Sequence, residues 1–139
     1  MTYAIFLDAS FWIVYRNEKD PRHPMARHTV EQMFARKVLL ATILPVICEI
    51  HAYFARMCLK RELILKDLCE NRVVQIEELS YQDQADALAL LGDHHDKAYS
   101  LCDALSFVTM QRLHLKRALA FDEHFRQFGK FEILPALSS

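Results

Sequence analysis

Five short apolar runs, Tyr3–Leu7, Val38–Leu44, Val73–Ile76, Ala118–Phe121 and Phe131–Leu134, alternate with stretches whose apolar residues recur at intervals of three and four. The runs have the length of strands and the stretches between them the spacing of amphipathic helices. These connections are too long for hairpins, so successive strands run parallel and are joined by helical crossovers. The pattern restricts the chain to an α/β fold, a three-layer α/β/α sandwich around a mostly parallel sheet of four to five strands. With 139 residues, 53% of them hydrophobic, there is material for one core, and residues 1–139 read as a single domain.

The periodicity predicts helices over Ala9–Arg16, from about Met25 to Arg36-Lys37, and after Pro45. Further helices follow over Glu62–Glu70, over Tyr81–Leu91 with Gly92 as C-cap, and over Glu123–Phe128 before Gly129. Another starts at Ser100, with Leu101, Leu105, Val108 and Leu113 facing inward. The polar segment Asn17 to Pro24 reads as a loop.

Composition narrows the function. Gly92 and Gly129 are the two glycines, which excludes the glycine-rich phosphate loops of Rossmann and P-loop proteins. Seventeen Lys and Arg against eighteen Asp and Glu give a net charge of -1, so a nucleic-acid partner has to be held by a local patch. Cys48, Cys58, Cys69 and Cys102 stand singly in apolar helical patterns and read as packed thiols in a reducing compartment. There is no basic n-region before Ile5 and no apolar run near the roughly 18 residues of a spanning helix, so a cytoplasmic protein without membrane contact is expected.

The first run ends abruptly at Asp8, and Asp122 closes the fourth; in a parallel α/β sheet the C-terminal edge of the strands is where ligands bind. Glu49 and Asp103 lie in the early turns of helices that begin at the same edge. Each acid also has an ordinary explanation. Asp8 and Asp122 are good N-caps, Asp103 stands three after Ser100 as in a capping box, and Glu49 suits the positive end of a helix dipole. Taken together, four carboxylates in one crevice repel each other unless a cation sits among them. Such hard oxygen donors suit Mg²⁺ or Mn²⁺ and metal-assisted hydrolysis of phosphodiesters.

The segments Phe6-Leu7-Asp8-Ala9-Ser10, Val46-Ile47-Cys48-Glu49-Ile50, Tyr99 to Phe107 around Asp103, and Ala118 to Phe125 with Phe128-Gly129 after them resemble the PIN-domain ribonucleases, in particular the VapC-type toxins of toxin–antitoxin pairs. The resemblance covers the chain in order and implies an endoribonuclease dependent on Mg²⁺ or Mn²⁺. Its catalytic and metal-holding acids fall on Asp8, Glu49, Asp103 and Asp122, with Ser10 adjacent to the site. It also implies an RNA substrate and an antitoxin partner. Two positions depart from the family pattern: Ala9 follows the first acid and Cys102 precedes the third, where Thr is usual in both.

Arg56 and Lys60 follow Glu49 on one helix and Arg112 follows Asp103 on another; they are candidates for RNA phosphate contacts, and equally for solvated helix ends. Phe11, Trp12, Tyr15, Tyr53 and Phe54 read as core, and apolar surface left over would be covered by an antitoxin segment or by a second copy in a homodimer. Adjacent His94-His95 lack a partner at zinc-ligand spacing. Competing functions are an RNA-maturation nuclease without antitoxin and a non-catalytic binding module of the same fold. A phosphorylation receiver is disfavoured because Asp8 has no acidic neighbour, and a haloacid-type hydrolase because Asp8-Ala9-Ser10 lacks a second Asp.

Overall fold

The computed structural model describes residues 4–57 and 61–136, excepting the side chain of Arg61. Five strands, β1 (Ala4–Leu7), β2 (Leu39–Ile43), β3 (Val74–Glu77), β4 (Arg117–Leu119) and β5 (Glu132–Leu134), form one sheet in the order β3-β2-β1-β4-β5. Every neighbouring pair is parallel. Tyr3, expected in the first strand, and Cys58 and Lys60 lie outside the described residues.

Among the described residues seven helices connect the strands: α1 (Ala9–Tyr15), α2 (His23–Ala35), α3 (Leu44–Arg56), α4 (Arg61–Cys69), α5 (Tyr81–Asp93), α6 (Leu101–Arg112) and α7 (Glu123–Phe128). By the handedness rule for parallel crossovers, the connections place α1 to α4 over one face of the sheet, where α1 packs on α2 and α3, and α3 on α4. They place α5 to α7 over the other, where α5 packs along α6. Both faces of β1 are therefore covered, which is why Ile5, Phe6 and Leu7 are all buried and read as an unbroken apolar run.

Local details differ from the periodicity. Helix α2 starts at His23 rather than near Met25, because Pro24 sits in its first turn, where a missing N–H costs nothing and φ is already helical. Helix α5 runs through Gly92 to Asp93 and ends at His94, so Gly92 is not its cap. Gly129, at φ 72°, does end α7 in the left-handed conformation. Helix α6 has no single inward face: Asp103 to Met110 are all buried, whereas Leu101 is 48% exposed. The buried Ser106 and Thr109 hydroxyls are satisfied by the carbonyls of Cys102 and Leu105, one turn back (both 2.8 Å). Cys48 and Cys69 are exposed, so these two are not the packed thiols that apolar neighbours suggested, whereas the half-buried Cys102 does pack against the core.

Candidate active site

The chain passes from β1 to β2 to β3 in one direction and then places β4 and β5 on the opposite side of β1. The strand order reverses between β1 and β4, and a crevice opens at the carboxyl ends of strands that diverge in this way. Asp8 and Asp122 stand there. The Asp8 amide still bonds the Leu119 carbonyl of β4 (3.0 Å), and Asp122 follows β4 by three residues as the N-cap of α7.

The capping roles of the three aspartates are real, and they aim the side chains. Asp8 caps α1 through Oδ2, which accepts from the amide (3.1 Å) and the hydroxyl of Ser10. Asp122 caps α7 through Oδ1, which accepts from the His124 amide (2.9 Å). Asp103 forms a capping box with Ser100, accepting the Ser100 amide at Oδ2 (3.0 Å). In each case one oxygen is engaged, and Oδ1 of Asp8, Oδ1 of Asp103 and Oδ2 of Asp122 accept no hydrogen bond among the described residues.

Ser10 joins two of these acids. Its hydroxyl donates to Asp8 and accepts the backbone N–H groups of Phe121 (3.0 Å) and Asp122 (3.1 Å). One donor and two lone pairs exhaust a hydroxyl, so Ser10 is a brace between the β1 and β4 ends with no capacity left for a metal or a substrate. Deeper in the sheet, the buried Thr42 hydroxyl of β2 fastens the end of β1 by donating to the Leu7 carbonyl (2.9 Å).

Glu49 lies in the second turn of α3 and is exposed, close enough to the Cys102 thiol of α6 for each group to shift the other's proton affinity. That proximity links the two helical layers over the strand ends, at a position where the family usually has Thr.

Electrostatics tie the four acids together. Burial pushes Asp8 up to about 7, the charges of Asp103 and Asp122 add to the rise, and the Ser10 bonds hold it back. Glu49 is also raised, by partial burial first and then by repulsion from Asp103 and Asp122, against the pull of the nearby Cys102 thiol. The Cys102 thiol is held protonated by burial and by the surrounding carboxylates, Glu49 foremost.

His124 is a site residue that periodicity did not single out. Its Nδ1 donates to Asp103 Oδ2 (2.7 Å) and lies 3.5 Å from Asp122 Oδ1. Burial alone would lower the imidazole, but the Asp103 bond and the charges of Asp122, Asp103 and Glu123 leave it raised. Ligand atoms of Asp103, Asp122 and His124 all lie within 4.8 Å of one another, a donor set able to hold a cation. Asp8 and Glu49 stand around this tighter group. An aromatic cluster holds α7 against α6, with Phe107 stacked on Phe128 (4.3 Å, 11°) and edge-on to Phe125 (4.9 Å), and so keeps His124 beside Asp103.

Of the predicted basic residues, Arg56 and Arg112 are not gathered here, and Lys60 lies outside the described residues. Arg112 is at the far end of α6, about 14 Å along the helix axis from Asp103. Its Nε bonds the buried carboxylate of Asp83 (2.9 Å) and its Nη2 the Glu78 carbonyl (3.1 Å), so its guanidinium serves to join α6 to α5. Arg56 is exposed at the end of α3, seven residues and thus two turns beyond Glu49 on the same face.

A family model described as PIN domain matches residues 5–131. The chain belongs to the PIN-domain family. It is 30% identical over 133 residues to the 23S rRNA-specific endonuclease VapC20 of Mycobacterium tuberculosis, covering 94% of this chain and 98% of that one. The crystal structure of M. tuberculosis VapC20, described as a sarcin-ricin loop cleaving toxin, superposes with a TM-score of 0.81 at 29% identity, covering 94% of this chain and 99% of that one. VapBC2 from Rickettsia felis, solved with a DNA fragment from its promoter, shares the fold at a TM-score of 0.66 and 15% identity, over 94% and 96% of the two chains. This PIN domain is thus an endonuclease of the VapC type.

Proposed function

We propose that the protein hydrolyses RNA phosphodiester bonds with Mg²⁺ or Mn²⁺ bound among Asp8, Glu49, Asp103 and Asp122, and that it acts in the cytoplasm as the toxin of a type II toxin–antitoxin pair. The observation that carries this reading is the free oxygen left on each of three capping aspartates at the point where the strand order reverses. Mg²⁺ binds through one or two carboxylates and keeps several waters, so the acids need not all touch the ion directly. When bound, the ion supplies an acidified water and neutralises charge on the leaving oxygen. The protein's own part is to hold its acids rigidly by their caps, to brace Asp8 against Asp122 through Ser10, and to keep the imidazole of His124 within reach of the same oxygens.

The RNA substrate is supported by kinship with VapC20, whose name specifies 23S rRNA. Leu44 (59% exposed) and Leu101 (48% exposed) begin α3 and α6 at the rim of the crevice, and their apolar side chains support an antitoxin segment laid across it. No helix among the described residues is long and apolar enough to cross a membrane.

The test is incubation of purified protein with ribosomal RNA. Discrete fragments should appear with Mg²⁺ or Mn²⁺, disappear with EDTA and return with excess Mn²⁺, and Asp103→Asn should slow cutting by about a hundredfold or more. Cutting that persists in EDTA, or that Asp103→Asn leaves unchanged, would refute the assignment.

A further inference from the structure

Phe121 connects β4 to Asp122, and its amide is one of the two held by Ser10. Its ring stacks on the buried Phe11 (5.5 Å, 9°), so it is part of the same rigid frame that carries the acids. Over this ring, 4.8 Å from its centroid, lies the guanidinium of Arg22 from the α1–α2 loop. Asp20 fixes the orientation of that group: Oδ1 accepts the Arg22 amide (2.8 Å) and Nε (3.1 Å), and Oδ2 accepts Nη2 (3.0 Å).

A guanidinium has two edges that can each take two hydrogen bonds side by side. Asp20 occupies the Nε/Nη2 edge. The end-on Nη1/Nη2 edge has no partner among the described residues, and the side chain is 50% exposed. A planar fork held flat on an aromatic ring one residue before Asp122, with its end-on edge open, is suited to a bidentate grip on a phosphate. An arginine serving only to cap the loop would need neither the stack on Phe121 nor the open edge.

Resting on the nuclease reading, we propose that Arg22 is a positioning residue that grips a phosphate of the RNA strand flanking the cleaved bond. Arg22 belongs to this role in place of Arg112, whose guanidinium is committed to Asp83 and Glu78. Through Phe121 the grip is referred to Asp122, so a phosphate bound at Arg22 fixes the register of the strand over the site.

Steady-state cleavage of a labelled oligoribonucleotide containing the bond cut in ribosomal RNA, over a range of salt, tests this with wild type, Arg22→Ala and Arg22→Lys. Arg22→Ala should raise KM about tenfold with kcat nearly unchanged. It should also make the dependence of log kcat/KM on log salt shallower by about 0.7, the contribution of one single-strand phosphate contact. Arg22→Lys should restore the salt slope while recovering KM only in part, because charge returns without the fork. An unchanged KM and slope in Arg22→Ala, or a fall in kcat and melting temperature with the slope intact, would overturn the proposal while leaving the nuclease reading standing. Failure of the wild-type protein to cut any RNA would overturn both.

Discussion

Asp8→Asn is expected to abolish RNA cleavage and at the same time to raise the melting temperature of the metal-free protein. Asn preserves the shape of the side chain, and its carbonyl oxygen can accept the same amide and hydroxyl bonds from Ser10. What disappears is a negative charge on a group that is 3% exposed and faces the charges of Asp103 and Asp122. Lifting a carboxyl from 3.8 to about 7 means that its ionised form opposes folding. By linkage the penalty has an upper bound of about 4 kcal/mol at neutral pH. Relaxation of the neighbouring acids takes back part of that, and a net gain of about 1–2 kcal/mol, or several degrees, is expected. Cleavage should fall about a thousandfold, because the crevice loses one charged oxygen that would hold the ion. Thermal melts in EDTA and the fragment assay check the two halves separately. Cleavage at the wild-type rate would remove Asp8 from the mechanism, and a lower melting temperature in EDTA would refute the electrostatic explanation.

The metal-free protein should also lose stability as pH rises from about 4 to about 7. Within this window folded Asp8 keeps its proton while the unfolded chain has released it, so the native state binds more protons and unfolding becomes easier with rising pH. Below the window both states are protonated; above it both are ionised and the penalty is constant. Glu49 is shifted in the same direction and adds to the effect. Asp20, held low by Arg22, and Asp83, held low by Ser80 and Arg112 against its burial, act oppositely at lower pH. The difference between wild type and Asp8→Asn isolates the site from them. Saturating Mn²⁺ at pH 7 should restore what ionisation removes, with about 2.7 kcal/mol gained at a hundred times its Kd. Urea midpoints across pH, in EDTA and in Mn²⁺, measure this. A difference between the two proteins that does not grow from pH 4 to pH 7 would contradict it.

The strands and the acids were legible because both obey local rules. A strand covered on both faces is an apolar run with a sharp end, and an acid after such an end marks the edge of the sheet where the crevice forms. Reading each aspartate as cap or as site was a false choice, since the cap engages one oxygen and the site needs the other. What stayed hidden depends on partners distant in sequence. Arg112 looks like a free helix-end cation until Asp83, 29 residues away, is seen to hold it. Ser10 looks like a helix-start hydroxyl until the amides of Phe121 and Asp122 arrive across 111 and 112 residues. His124 gave one local signal, its place two residues after a capping aspartate, but its bond to Asp103 exists only because the Phe107 cluster docks α7 on α6. Cys48 and Cys69 fell on the outer faces of α3 and α4, where apolar neighbours in sequence are not neighbours in the core.

Anomalous scattering from crystals grown with Mn²⁺ is the most direct test that these acids form one metal centre. A peak is predicted between the free oxygens of Asp8, Asp103 and Asp122, within direct or water-bridged reach of Glu49. Manganese bound elsewhere with these three carboxylates turned apart, or no peak at all at saturating Mn²⁺, would contradict a metal-dependent site at the strand reversal.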